Sequence, residues 1–175
     1  MGKIRPAQPV KLIAGIIAAS GEQAAAAEEH LVAAWGAVDT RSPVVPFTFT
    51  DYYGPEMGPE LIRYWVSFER LMDPGELAGR KRFSNNIEAR YAEQGNRRMN
   101  IDPGYLTPAK LVLASTKDYS HRIYLADGIY AEVTLTWQHR NGFHALPWTY
   151  PDYQSEPALR FLEHARAKLM EQLAL

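Results

Sequence analysis

The chain has 175 residues, 46% of them hydrophobic and 22% charged, the balance of one ordinary folded domain. Nineteen Lys and Arg stand against twenty Asp and Glu, so the net charge of −1 excludes a whole-molecule field directed at nucleic acid or anionic lipid. With no cysteine, disulfides, thiolate nucleophiles, iron–sulfur clusters and Cys-containing zinc sites are excluded, which suits a reducing cytoplasm.

Lys11–Ala19 is apolar on both faces and reads as a central strand. Lys3 and Arg5 ahead of Leu12–Ala19 also resemble the start of a signal peptide, but Pro6, Pro9 and Lys11 interrupt the approach, so the strand reading is preferred. No apolar run approaches the ~18 residues of a membrane span. Ser20 and Gln23 have N-cap spacing ahead of an Ala-rich helix, Glu22–Gly36. Pro43 and Pro46 bracket the start of an extended segment, Phe47–Tyr53, and Leu61–Leu71 returns as its partner after a stiff Gly-Pro loop. Asp73-Pro74-Gly75-Glu76 is a helix start, and the spacing predicts a helix to about Gly95 with Leu77, Ser84, Ile87 and Tyr91 inward. Arg97–Asp102 follows as a strand, closed by a predicted turn at Pro103-Gly104.

This order is β-α-β-β-α-β, the ferredoxin-like arrangement, with Lys11–Ala19 between Leu61–Leu71 and Arg97–Asp102. Leu106–Thr116 fits a short helix or a strand. Asp127-Gly128 predicts a hairpin between His121–Ala126 and Ile129–His139, and Asn141-Gly142 a second one that would set His139 opposite His144. Ser155 is the expected cap of a last helix with Leu159, Leu162, Ala165, Leu169 and Leu173 on one side. The expected architecture is one α+β domain over residues 1–175, its antiparallel sheet extended by C-terminal hairpins and a last helix.

The segments Phe49–Gly58, Ser67–Leu77, Asn100–Leu106, Thr116–Leu125, Gly128–Leu135 and Pro147–Tyr153 together resemble an uncharacterised bacterial family, domain of unknown function DUF4416. The resemblance spans nearly the whole chain and brings no activity or catalytic residues with it.

Phosphate-loop, dinucleotide-binding, nucleophile-elbow and zincin motifs are absent, so candidate chemistry comes from strand alternation. Side chains two apart share a face. If the apolar sets pack on the helices, Arg63, Glu69, Asn100 and Asp102 look out over the open face, with Glu69 and Asp102 about two strand spacings (~10 Å) apart, suited to bracketing a small polar ligand. A two-residue Asp127-Gly128 loop makes His121 and Glu132 diagonal neighbours, a general-base pair or, with Asp102, ligands for a divalent metal. Burial of Val133, Leu135 and Trp137 would then keep Glu132 out of the core. Lys117 and Arg122 arrive beside this pair as anion holders, and Asp51 with Glu56 lies in the rigid Gly-Pro loop.

The expected function is a cytoplasmic small-ligand-binding protein or enzyme acting on a phosphorylated or nucleotide-like compound, with a metal as an option. The alternative is a non-catalytic RNA- or protein-binding module using Tyr52, Tyr53, Trp65 and the Arg80–Arg82 cluster, with Arg97 and Arg98 nearby.

Overall fold

The computed structural model describes residues 2–174 as a mixed α+β structure. Helix α1 (Gly21–Trp35) follows strand β1 (Val10–Ala18), and Ser20 caps it by accepting from the Gln23 N–H at 3.2 Å. Strands β2 (Val38–Arg41) and β3 (Val45–Pro46) and the short helix α2 (Gly54–Met57) lead to β4 (Ile62–Met72). A 3₁₀ turn at Pro74–Glu76 with a complete Asp73/Glu76 capping box starts α3 (Leu77–Arg90), and β5 (Met99–Leu106) and β6 (Lys110–Ser115) follow. The chain ends with β7 (Ile123–Ala126), β8 (Ile129–Gln138), β9 (Gly142–Ala145) and helix α4 (Glu156–Leu173).

The nine strands among the described residues join one antiparallel sheet ordered β2-β4-β1-β5-β6-β8-β7, with β3 on β4 and β9 on β8. As predicted, the first strand is internal and flanked by β4 and β5. Its nine residues are all buried because both faces are covered. Val10, Leu12, Ala14, Ile16 and Ala18 pack with α1 and α3, whereas Ile13 packs with Trp65 and the apolar side of α4. Lys11 is buried beside the α4 end, ion-paired with Asp39 and donating to Gln172 Oε1 at 2.8 Å.

Several expectations are corrected. Phe47–Tyr53 is not a strand; β2 and β3, on either side of Pro43, pair with β4 instead. The alternating phenylalanines come from a loop, whose Phe47, Phe49 and Tyr53 pack with Ile17, Met57 and Leu61. The third helix ends at Arg90 rather than near Gly95, where a tight Glu93–Asn96 turn replaces its last predicted turns. Ser155 does not cap α4 through its side chain; its hydroxyl donates to Asp152 O at 2.6 Å. His144 stands opposite Thr136, so it does not face His139. Residues 110–115 of the ambiguous stretch form a strand.

The predicted Pro103-Gly104 turn is also absent: β5 runs straight through it. Proline has no N–H to donate, so in a sheet it sits where no ladder bond is made. Ile101, two residues earlier, turns its backbone groups away from β1, and Pro103 has the same orientation, toward β6. The β5–β6 ladder accordingly stops at Gly104↔Leu113. At Gly104 the strands are so close that a Cβ would lie 2.5 Å from the Val112 carbonyl oxygen. Beyond it the sheet splits.

Candidate functional site

The split opens a cavity of about 670 Å³, within the range of small-molecule pockets. One side is formed by the 47–53 loop and the start of β5, the other by the end of β6, Glu132 of β8 and the Tyr150–Tyr153 segment. Helix α3 keeps the split edge satisfied. Ile101 N–H donates to Glu88 Oε1 at 2.7 Å, and Ile101 O accepts from Lys81 Nζ at 2.9 Å and Ser84 Oγ at 3.2 Å. Two buried ionisable side chains thus do the bonding that a continuing β6 would have done.

Burial raises the Glu88 pKa above the usual carboxylate value, Lys81 opposing the rise. Glu88→Ala is expected to cost about 1–3 kcal/mol in urea unfolding at neutral pH, because it strands the Ile101 N–H. Glu88→Gln keeps an acceptor there and should cost less. The raised pKa means that the folded state holds this proton more tightly than the unfolded one. Stability from this group is therefore lost as pH rises through the folded-state pKa, and Glu88→Gln should flatten that loss.

On the cavity floor, Arg63 of β4 is 1% exposed. It lies opposite Ile17 of β1, which lies opposite Asn100 of β5, so the two polar side chains flank one strand. Its guanidinium is 4.7 Å from the Trp65 ring centre and 5.2 Å from that of Tyr153, and its Nη2 is 2.8 Å from Asp152 Oδ2. Burial opposes its charge, but Asp152, then Tyr153 and Asp102, outweigh that and hold its pKa above the ordinary value. Gly15 makes room: a Cβ there would sit 2.6 Å from Tyr153 Oη and 2.8 Å from Arg63 Nη2. Arg63 Nε and Nη1 and Tyr153 Oη are buried with no hydrogen-bond partner among the described residues. Burial, opposed by Arg63, pushes the Tyr153 hydroxyl pKa up, so it stays a neutral donor at neutral pH.

Asp102 also lines this floor, accepting from Asn100 Nδ2 at 2.7 Å and from Lys81 Nζ at 3.2 Å. Arg97 is held by Glu56, with Nε–Oε1 at 2.8 Å and Nη2–Oε2 at 2.7 Å. That hydrogen bonding, opposed by partial burial, lowers the Glu56 pKa. The Gly-Pro loop is thereby fastened to the start of β5.

His121 and Glu132 do meet, with Nε2 and Oε2 2.9 Å apart, but not by the expected register. A bulge at Leu125 sets Ile123 opposite Ala131 rather than Glu132, and His121 precedes the strand. Glu132 is 2% exposed, contrary to expectation. A second bulge, where β6 meets β8 at Thr134, puts half-buried Val133 on the α3 side and buried Leu135 on the α4 side, so packing both does not expel Glu132. The carboxylate is fully engaged. Besides His121, it accepts from Arg122 Nε at 2.9 Å and Thr134 Oγ1 at 3.2 Å. His121 stacks on Trp148 at 4.8 Å with 14° between the rings.

Arg122 is committed inside the protein as well, bonded to Ser115 Oγ at 2.8 Å, Lys117 O at 3.0 Å and Tyr150 Oη at 3.0 Å. Lys117 reaches the cavity mouth and donates to Tyr52 Oη at 3.1 Å.

Of the predicted site residues, Arg63, Asn100, Asp102, Lys117, Arg122 and Glu132 line this one cavity, with His121 behind Glu132. Glu69 does not belong to it: Asp102 aligns through Gly15 with Trp65, four residues back along β4, a further ~13 Å. Glu69 is exposed, and its carbonyl bonds Gln172 of α4. Asp51 is exposed on the loop and does not line the cavity. Asp102 does not join His121 and Glu132 as a metal set, and no group of three or more His, Asp and Glu suited to a metal occurs among the described residues. Lys81, Asn85 and Glu88 are additions that sequence reasoning missed, although their i, i+4, i+7 spacing marks a polar stripe on one helix face. Asp152 and Tyr153 carry no comparable signal.

The basic cluster near α3 is neutralised locally. Arg80 pairs with Glu76, Arg82 with Asp127, Arg97 with Glu56 and Arg98 with Glu93, while Trp65 is buried. No helix among the described residues is long and apolar enough to cross a membrane.

The model of one family, described as Domain of unknown function (DUF4416), matches residues 8–169 of the 175. No curated protein and no solved structure matches the chain.

Proposed function

The chain belongs to the DUF4416 family, and for it we propose a small-molecule-binding function: the split-sheet cavity takes a phosphorylated, nucleotide-like compound with an anionic group against Arg63. The observation that carries this is the Arg63 guanidinium, buried at the cavity floor with Nε and Nη1 unused beside an unused Tyr153 hydroxyl. Buried donors left unpaired cost stability unless something takes them, and an arginine N–H to a phosphate or carboxylate is a strong, charge-assisted bond. Tyr52, Tyr53, Tyr119 and Tyr150 line the rest of the cavity and suit a ring. We assign His121, Glu132 and Arg122 to holding one wall in place, since every oxygen of the carboxylate is engaged from within the protein.

We read the strands β2, β4, β1 and β5 with α1 and α3 as a ferredoxin-like core, supported by their order and by both helices packing on one face. The remaining strands and α4 are the extension that closes the cavity. A reducing, cytoplasmic setting is supported by the absence of cysteine.

Thermal unfolding with AMP, adenosine and inorganic phosphate tests this reading. At 100 times its Kd, a ligand stabilises by about 2.7 kcal/mol, or roughly 5–10 °C for a chain of this size. AMP should raise Tm, adenosine much less, and Arg63→Lys should abolish the difference while folding with its own Tm. Equal responses to AMP and adenosine, or an AMP shift that Arg63→Lys leaves untouched, would overturn it.

A further inference from the structure

We propose that the ligand carries two anionic groups on opposite sides of its ring-bearing body, one bound by Arg63 at the floor and the other by Lys117 at the mouth. This rests on the reading of the cavity as an anion-binding site and names the class within it: a bisphosphate whose phosphoryl groups are separated by a sugar or ring.

Five cations line the cavity, and four have a carboxylate partner: Arg63 with Asp152, Lys81 with Asp102, Arg97 with Glu56 and Arg122 with Glu132. Lys117 has none among the described residues. Its ammonium lies 3.1 Å from the Tyr52 hydroxyl and 4.7 Å from that ring's centre, a neutral partner that leaves its charge uncompensated. Tyr52 is 58% exposed, so this contact joins the 47–53 loop to the segment after β6 across the mouth. A ligand anion arriving there gives Lys117 a charged acceptor in place of a phenol, at the cost of one surface hydrogen bond.

The spacing selects the class. Arg63 is on β4 and Lys117 follows β6, with β1 and β5 between, so their backbones are three strand spacings apart, about 14 Å, before the split widens the gap. Both residues line the cavity. On that spacing we expect the neighbouring phosphoryl groups of a diphosphate chain to engage one cation at a time. Groups at the 3′ and 5′ positions of a nucleoside, or at the two ends of a sugar, span the gap with the ring between Tyr53, Tyr119 and Tyr150.

Calorimetric titration of the full chain with adenosine 3′,5′-bisphosphate, ADP and AMP tests this, using the wild type, Lys117→Met and Arg63→Lys. The wild type should bind the 3′,5′-bisphosphate at least tenfold more tightly than AMP, and ADP should show less than a third of that gain. In Lys117→Met the bisphosphate-to-AMP ratio should fall to near one. In Arg63→Lys all three affinities should drop. AMP binding with no gain from the 3′,5′-bisphosphate overturns the two-anion proposal and leaves the Arg63 reading standing, as does a gain that survives in Lys117→Met or is matched by ADP. No binding of any of the three to the wild type overturns both.

Discussion

Asp152→Ala is expected to lower the unfolding free energy by about 3–5 kcal/mol, the usual penalty for stranding one partner of a buried ion pair. Asp152 is Arg63's carboxylate partner, and the guanidinium it neutralises is almost wholly out of water between two aromatic rings. With two of its nitrogens already without partners, the arginine has no second protein acceptor to turn to. Domains usually have ~5–15 kcal/mol in all, so the loss should show as a marked drop in the urea midpoint. Asp152→Asn keeps an acceptor oxygen near Nη2 and should recover part of it. A phosphate-bearing ligand that neutralises Arg63 should restore stability to Asp152→Ala more than it stabilises the wild type. If Asp152→Ala unfolds at the wild-type midpoint, Arg63 is not a buried charge that depends on Asp152 for neutralisation, and the charged floor of the binding site is wrongly assigned.

How much of this site was legible in the sequence depends on how local its cause is. The central position of β1 follows from an apolar run with both faces alike, and Arg63, Asn100 and Asp102 follow from period-two alternation on strands whose other face packs on helices. The split was not legible as such, although its cause is a single letter. Pro103 reads as half of a Pro-Gly turn, and only the neighbouring strand shows that it instead ends a ladder inside a strand. Polar residues on the inner side of α3 look misplaced until Lys81 and Glu88 are seen bonding the backbone that the split leaves open. Bulges at Leu125 and Thr134 shift register by one residue each, and nothing in the local pattern marks them. His121 and Glu132 meet nonetheless, because Arg122 and Trp148 hold them from outside the ladder. Asp152 belongs to Arg63 through a contact spanning 89 positions of sequence, which no motif spacing encodes.

Glu132→Ala should be the other costly change, again about 3–5 kcal/mol, but its consequences should extend to the cavity wall. The carboxylate is the common acceptor for Arg122, His121 and Thr134, and Arg122 in turn ties Ser115, the Lys117 carbonyl and Tyr150 together. Removing it leaves a buried guanidinium without its counter-charge and leaves His121 with its ring contacts to Trp148 and Tyr119. Residues 115–122 should then loosen, raising amide hydrogen exchange there well above the exchange of β1 and β5, whose bonds do not pass through Glu132. Glu132→Gln retains one acceptor for Arg122 or His121 and should be intermediate in stability. Had the pair been a general base, Glu132→Gln would spare stability and remove turnover; as a wall anchor, it should move stability and exchange together. A Glu132→Ala protein with wild-type stability and unchanged exchange over 115–122 would return the His121–Glu132 pair to the list of catalytic candidates.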